Sequence, residues 1–192
     1  MRSVSGCSQE LNFHVVALTG ERCKLTQRVC HISLERPDSV STIESGAAWI
    51  EPGAAACVMG NTLYAVLIGH AFNKLWKWNA ASDWTRCADM TTDRSFHCVA
   101  VVDSTLYSLG GWDDDLTKLS SVDAYNTQTN KWSAAGQLTH AVGAAACVSY
   151  NDSIYVFGGE VANNKAVADV QVYDTAQHKC TLLHNAMPRA YG

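Results

Sequence analysis

The sequence feature that most constrains the fold is a recurring order of glycines and aromatic residues. In its clearest copy, Leu106 to Trp132, an apolar run ends in Gly110-Gly111, a charged loop follows, and a second run carries Tyr125 ahead of the tryptophan. A later copy keeps this order, and an earlier copy keeps part of it. The matching landmarks are Tyr155, Gly158, Gly159, Tyr173 and Cys180 in the later copy, and Tyr64, Gly69, Trp78 and Trp84 in the earlier one.

The spacing of the copies indicates a repeat architecture. Tyr64, Tyr107 and Tyr155 occupy the same place in the three copies and are 43 and 48 residues apart. Internal periods of this size are typical of propellers and solenoids. The chain is therefore predicted to be an array of one repeated unit.

Each copy has the residue pattern of four short antiparallel strands. An apolar run, a polar turn and a second apolar run predict a hairpin, and the glycine pair lets the chain leave the sheet. The third run alternates, with Val122 and Ala124 on one face and Asp123 and Tyr125 on the other. One such sheet cannot bury its faces alone, so the copies are expected to stack against each other.

A glycine doublet, then a tyrosine, then a tryptophan seven residues after it, as in Tyr125 and Trp132, resembles the Kelch repeat. The resemblance implies an all-β fold, a Kelch-type β-propeller that is incomplete, because propellers close with about four to eight blades. We therefore expect a partial sequence. The predicted organisation is a lead-in over 1–12, a degenerate blade over 13–52, blades over 53–91, 94–139 and 141–186, and the start of a further repeat over 187–192.

Composition and charge limit the function classes. A net charge of -4 and a pI of about 5.9 are not those of a nucleic-acid-binding chain. No apolar run approaches the roughly 20 residues of a membrane span. The N-terminal residues lack the apolar core of a secretory signal. We therefore expect a cytoplasmic protein that binds neither nucleic acid nor membrane.

The cysteines suggest reduced thiols. Cys57, Cys98 and Cys147 each lie in the leading run of a repeat and are expected to occupy the same place in it. Equivalent positions in different blades are expected to lie far apart compared with the roughly 6 Å between Cα atoms that a disulfide requires. The three residues are therefore predicted to be small buried side chains.

Loops are the expected site of function, because propeller framework residues are structural. Two sets stand out, 112–118 with 160–165 and 90–95 with 138–142, and the resemblance implies that they share one rim and hold a protein partner. It also places Arg94 at a frequent partner-binding position, with Arg189 equivalent; the alternative is that Arg94 bonds loop carbonyls. The candidate partner-binding residues are Arg94, Trp112, Asp113, Asp114, Asp115, His140, Glu160, Asn163 and Arg189.

Several residues have two interpretations. Asp113, Asp114 and Asp115 could bind a basic peptide or a cation, or form a solvated loop tip. Consecutive acids lack the alternating spacing of a calcium loop. His97 is predicted to be a core histidine. His178 and Cys180 could form a metal pair, but no third ligand is visible.

No nucleophile elbow, phosphate loop or metal motif is present in the sequence, so no cofactor is predicted. The resemblance implies a non-enzymatic interaction module that holds a short acidic or mixed-charge motif. Its expected role is the substrate-recognition propeller of an adaptor for a cullin-based ubiquitin ligase. Alternatives are an actin-binding cytoskeletal protein and a copper-radical oxidase-like propeller, which would need tyrosine, cysteine and histidine ligands near the central channel.

Overall fold

The structure is a computed structural model that describes residues 12–16, 27–33, 40–45, 54–67, 74–79 and 82–190. The chain divides into two compact units, residues 1–48 and 49–192. The predicted roles of residues 1–11, of Gly69 and of residues 191–192 lie outside the described residues. Within the described ranges, no helix is long and apolar enough to cross a membrane.

The strands described in the N-terminal unit form an antiparallel sheet. Its strands are β1 (Asn12–Val16), β2 (Gln27–Ser33) and β3 (Val40–Ser45), in that order. The sequence predicts a degenerate blade over 13–52, and the structure has three strands where that blade is expected.

The described residues of the second unit form three four-stranded antiparallel sheets, which we call blades 1 to 3. In each, the strands follow one another across the sheet in chain order. This is the all-β arrangement that the repeated pattern predicts. Blade 1 comprises β4 (Ala55–Met59), β5 (Thr62–Leu67), β6 (Lys74–Asn79) and β7 (Ser82–Arg86).

Blades 2 and 3 contain the two clearest sequence repeats. Blade 2 comprises β8 (Cys98–Val102), β9 (Thr105–Leu109), β10 (Ser121–Asn126) and β11 (Lys131–Gln137). Blade 3 comprises β12 (Ala146–Tyr150), β13 (Ser153–Phe157), β16 (Val170–Asp174) and β17 (Lys179–Leu183). A short ribbon, β14 (Glu160–Val161) and β15 (Lys165–Ala166), flanks a 3₁₀ turn over Ala162–Asn164 in the loop after β13.

The core lies between blades. Val122 and Ala124 pack in the cluster that blade 2 shares with blade 3, whereas Tyr125 packs in the cluster shared with blade 1. The predicted alternation of the third strand is thus confirmed, and it explains how one strand contributes to two interfaces. Burial of apolar surface stabilises each interface by about 25 cal/mol per Å².

The framework aromatics dock each blade on the one before it. The Tyr173 hydroxyl donates to the carbonyl of Ala135 at 2.5 Å, and Trp132 Nε1 donates to the carbonyl of Ala88 at 3.0 Å. Tyr125, Tyr173 and Trp132 are all buried, as predicted. Trp84 is half-buried.

The leading strands correct the prediction about the cysteines. Cys98 begins β8 and pairs with Leu109, whereas β12 begins at Ala146, and Cys147 follows it. A shift of one residue turns a side chain to the opposite face of a strand. The two cysteines therefore do not occupy one shared position, and they do not lie far apart: each Sγ donates to a carbonyl of the other's strand segment.

Candidate functional site

The glycine doublet brings two loops into direct backbone contact. Gly110 has φ +62° and Gly111 has φ +97°, a region that favours glycine. A Cβ at Gly110 would lie 2.4 Å from the carbonyl oxygen of Val142. Gly111 N instead donates to that oxygen at 2.8 Å. The doublet therefore lets the loop after β9 touch the connection that enters blade 3.

Further backbone bonds extend this junction. Ser95 and Trp112 exchange two N–H···O bonds of 2.8 Å each. Gly143 and Glu160 exchange two more, of 3.1 and 2.8 Å. Ala144 N donates to the carbonyl of Phe96 at 2.9 Å. The structure thus brings together the two loop sets singled out in the sequence, and we call this surface, residues 91–97, 111–119, 138–144 and 158–167, the rim.

Trp112 fills the gap between blades 2 and 3. Its ring lies 4.6 Å from that of Phe96, and a Cβ at Gly143 would collide with it. Its Nε1 is buried and has no hydrogen-bond partner among the described residues. The side chain is half-buried and acts mainly as packing between the rim segments of the two blades.

Lys118 links the rim loops of the two blades. Its Nζ donates to Asn164 Oδ1 at 2.7 Å, lies 4.0 Å from Glu160 Oε2 and stands 5.3 Å from the centre of the Trp112 ring. A cation over an aromatic face and beside a carboxylate is held by both. Glu160 is therefore engaged within the rim through its backbone and its carboxylate.

Arg94 lies inside blade 2. Its side chain is 0% exposed, and its guanidinium donates to the carbonyls of Gly110 and Ser121 at 2.9 and 3.0 Å and to Asp123 Oδ2 at 2.7 Å. Burial lowers the pKa of Arg94, while the carboxylate of Asp123 acts to raise it. The alternative interpretation, bonding to loop carbonyls, describes this residue. The interpretation of Arg94 as a partner contact is not supported, because its guanidinium presents no surface to solvent.

His97 is a buried neutral histidine at the end of the first rim segment. It is 5% exposed, in agreement with the predicted core role. Burial lowers its pKa to about 3, and the positive charge of Arg94 acts in the same direction. Neither ring nitrogen has a hydrogen-bond partner within the described part of the chain. The site therefore disfavours protonation of this ring.

The loop after the glycine doublet ends in an ordered tip. Asp113 Oδ1 accepts hydrogen bonds from the N–H groups of Asp115 and Thr117, at 3.0 and 2.8 Å. Asp114 and Asp115 are exposed. Leu116 is 73% exposed at φ +59°, which is uncommon for a leucine. Asp113 thus shapes the tip, while residues 114–116 face solvent.

Leu116 is the residue that the sequence reasoning missed. The run of three acids dominates the loop pattern, although a leucine follows it directly, ahead of the polar Thr117 and Lys118. This apolar side chain between polar residues is the signal in the sequence that marks the position. Its backbone conformation could not be deduced from the pattern, because leucine rarely adopts positive φ.

The charge near the tip is negative. Burial raises the pKa of Asp93, and the carboxylates of Asp114 and Asp89 raise it further. The carboxylates of Asp89 and Asp114 therefore lie near enough to Asp93 to influence its charge. The exposed Asp115 follows Asp114 at the tip.

The remaining candidates lie at different places. His140 has an exposed side chain, and its backbone is bonded by Gln171. Asn163 is exposed in the 3₁₀ turn at φ +60°.

Arg189 is exposed near the end of the described chain. Met187 N donates to the carbonyl of Ala168 just as Leu138 N donates to that of Ser120. Arg189 therefore corresponds to His140, two residues after Leu138, and the predicted equivalence to Arg94 is not supported.

Among the described residues, no group of three or more histidine, cysteine, aspartate or glutamate side chains is arranged to hold a metal ion. The two side chains of the predicted metal pair have different partners. His178 Nδ1 lies 3.2 Å from the Tyr173 hydroxyl, whereas Cys180 Sγ lies 4.0 Å from Gln171 Oε1.

The radial blades and their joined rim define a β-propeller, and comparisons with known proteins agree. The structure titled "Structure of YjhT" has a TM-score of 0.64 at 15% identity, covering 72% of this chain and 53% of that one. At that identity the likeness concerns the fold alone.

Sequence comparison specifies the family. The Kelch motif family model matches residues 93–139 and 142–184. Human Kelch repeat and BTB domain-containing protein 4 is 30% identical over 93% of this chain. Human Kelch-like protein 35 is 36% identical over 55% of the chain. The chain belongs to the Kelch-repeat family. It spans 34% and 18% of the lengths of these two relatives.

Proposed function

We propose that this chain is a non-enzymatic protein-interaction module that binds a short basic segment carrying an apolar side chain. The observation that carries this proposal is the loop tip, residues 114–116, where an exposed leucine stands beside two exposed carboxylates. An apolar anchor surrounded by charge is a frequent arrangement in protein recognition.

The tip is held in place before any partner arrives. Asp113 accepts two backbone hydrogen bonds within it, and Asp113 N itself donates to the carbonyl of Thr117 at 3.0 Å. Below it, Lys118 ties the loop to Asn164 of the neighbouring blade. Preorganisation lowers the conformational entropy that binding must remove. The ordered conformation of the tip therefore favours binding of a partner through residues 114–116.

Charge decides the kind of partner. Three basic side chains that precede or follow the tip in the chain are paired within the protein: Arg94 with Asp123, Lys118 with Glu160, and Arg86 with Asp89 at 2.6 Å. The exposed groups at the tip are carboxylates. The acidic or mixed-charge motif expected from the sequence depended on Arg94, so its burial favours a basic partner instead.

The wider role that we propose is substrate recognition for a cullin-based ubiquitin ligase, in the cytoplasm. Its support is the similarity to proteins whose names combine Kelch repeats with a BTB domain. The test is co-immunoprecipitation of cullins with the protein as cells produce it. Recovery of a cullin supports the adaptor role, whereas recovery of actin filaments without a cullin would favour the cytoskeletal alternative.

The binding proposal is tested with the purified chain and a displayed library of random peptides. Selected peptides are expected to be rich in lysine or arginine and to carry one leucine, isoleucine or phenylalanine. Their affinity should fall as salt is added, because exposed charges are screened over about 10 Å at 0.1 M salt.

Matched variants locate the contact. Leu116→Ala and the double variant Asp114→Asn with Asp115→Asn should each weaken a selected peptide about tenfold, the equivalent of about 1.4 kcal/mol. Leu183→Ala, at a leucine that is 44% exposed on β17, and Asp152→Asn, in the β12–β13 turn, are the controls. Selection of acidic peptides, or unchanged affinity in both tip variants, contradicts the proposal.

A further inference from the structure

Two thiols face each other across the boundary between blades 2 and 3. Cys98 packs in the cluster that the two blades share, and Cys147 packs against that same cluster from β12. Cys98 Sγ donates to the carbonyl of Ala145 at 3.1 Å, and Cys147 Sγ donates to the carbonyl of Val99 at 3.2 Å. Each sulfur therefore reaches the backbone beside the other.

The one-residue shift between β8 and β12 creates this arrangement. Cys98 occupies the first position of β8, while the first position of β12 is Ala146. Had both cysteines held one shared position, both would point in the same direction around the array. Because Cys147 is shifted by one, it points back toward blade 2.

The two thiols differ in chemistry. The pKa of Cys98 is raised by its interaction with the Cys147 sulfur and by burial, whereas the pKa of Cys147 is lowered by the interaction with Cys98, although burial acts to raise it. Cys98 is buried, and Cys147 is half-buried. The thiolate is the reactive form of cysteine, so Cys147 is the better nucleophile and Cys98 is placed to follow it.

We propose that Cys98 and Cys147 are a peroxide-responsive pair that closes to a disulfide between blades 2 and 3. The Cys147 thiolate attacks one oxygen of hydrogen peroxide, the O–O bond breaks, hydroxide leaves, and Cys147 becomes a sulfenic acid. The Cys98 sulfur then attacks the Cys147 sulfur, the S–O bond breaks, and water leaves with the thiol proton. The two sulfurs lose two electrons, and peroxide gains them.

Cys57, the cysteine on the leading strand of blade 1, serves as an internal control. Burial raises the pKa of Cys57 to about 12, and the charge of Cys147 acts in the same direction. Cys57 pairs with Tyr64 along β4 and β5, two positions further into its strand than Cys98 is in β8. It is therefore the residue expected to stay reduced when the pair oxidises.

The cross-link lies next to the rim. Cys98 is two residues after Phe96 and Cys147 is three after Ala144, and Ala144 N bonds the Phe96 carbonyl. A disulfide there would lock the connection between the two blades that carry the rim loops. It adds a covalent bond to the hydrogen bonds and packing that join these two segments.

Peptide mapping of the full chain tests the pair directly. The reduced protein is treated with hydrogen peroxide, free thiols are alkylated, and the unfolded protein is digested with trypsin. Cleavage after Arg94, Lys118, Lys131 and Lys165 places Cys98 alone in peptide 95–118 and Cys147 alone in peptide 132–165. We expect these peptides to be joined, with the loss of two hydrogen atoms, and to separate on reduction.

Variants establish the order of events. Cys98→Ser should abolish the cross-link and leave a sulfenic acid on Cys147 that dimedone traps, whereas Cys57→Ser should leave the cross-link yield within twofold of the wild type. Wild-type protein whose two peptides stay unlinked while dimedone labels neither cysteine overturns the proposal, and so does a dominant link through Cys57. Both of these results come from native protein, so a variant that fails to fold does not decide the question.

Discussion

Blades 2 and 3 perform the same structural task with different chemistry. In blade 2, Asp123 of the third strand forms a buried ion pair with Arg94 at 2.7 Å. In blade 3, the strand pairing places Gln171 at the position of Asp123, and its amide bonds the N–H and the carbonyl of His140 at 2.8 and 3.1 Å. In each case the third strand secures the loop that enters the blade.

The comparison shows which part of the repeat is obligatory. A polar side chain on the third strand that reaches the incoming loop is present in both blades, but a charge is not. The charged version depends on both partners, because removal of one leaves the other buried without compensation. Removal of the neutral side chain, Gln171, should cost less unfolding free energy, because it leaves no buried charge. The following substitutions test that difference.

The largest expected effect is that of Arg94→Met. It leaves Asp123 buried without its cation and should lower the free energy of unfolding by about 3–5 kcal/mol. Urea denaturation followed by circular dichroism measures it. Arg86→Met is the control, since its ion pair with Asp89 is 50% and 38% exposed and such pairs contribute about 0–1 kcal/mol. Equal losses in the two variants would mean that burial of the pair is unimportant.

The second effect is a pH dependence of stability that comes from His97. Burial lowers the pKa of His97 to about 3, so the unfolded chain binds the proton more readily and stability is lost as pH falls below the ordinary histidine pKa of about 6.5. The loss from this group should reach about 2 kcal/mol at pH 5. Denaturation curves at several pH values measure it.

A matched histidine separates this group from the rest. His97→Leu should flatten the pH dependence, because it removes the group whose pKa is lowered on folding. The substitution breaks no side-chain hydrogen bond among the described residues, since neither ring nitrogen has a partner there. His140→Gln, at an exposed side chain, should leave the slope unchanged. A slope that persists in His97→Leu would show that the pKa of His97 is not the source.

The third effect is the loss of the neutral clamp. Gln171→Ala removes both bonds to His140 and should cost about 1–2 kcal/mol of unfolding free energy. Gln177→Ala, at an exposed position, should cost close to nothing. If Gln171→Ala proved as costly as Arg94→Met in the same denaturation assay, the distinction between the charged and neutral blades would be wrong.

The smallest effect has the opposite sign. Leu116→Asn should raise the unfolding free energy by about 0.5–1 kcal/mol, because asparagine tolerates positive φ and leucine is strained there. Leu183→Asn, on a regular strand, should bring no gain. A gain in stability together with a loss of peptide affinity for Leu116→Asn would connect the strained backbone of blade 2 with recognition. If Leu116→Asn brought no gain in unfolding free energy, the positive φ of Leu116 would not be a source of strain.

Much of the framework could be predicted because it depends on local rules. Glycine doublets predict sharp exits from a strand, and the alternation of Val122, Ala124 and Tyr125 predicts which residues enter which interface. The rim was harder. The loops were correctly grouped, but Arg94 had two interpretations, since a sequence pattern does not show whether a guanidinium meets a carboxylate inside the blade or a partner outside it.

The sequence by itself determined the repeated β unit, its strand order and the aromatic residues that dock successive blades, because these follow from spacing and side-chain periodicity. Only the tertiary structure decided that Arg94 is buried against Asp123, that Leu116 is exposed, and that Cys98 meets Cys147 across the boundary between blades 2 and 3. The meeting of the two cysteines depends on strand register. A shift of one residue turns a side chain to the opposite face of its strand while the repeat remains recognisable in the sequence.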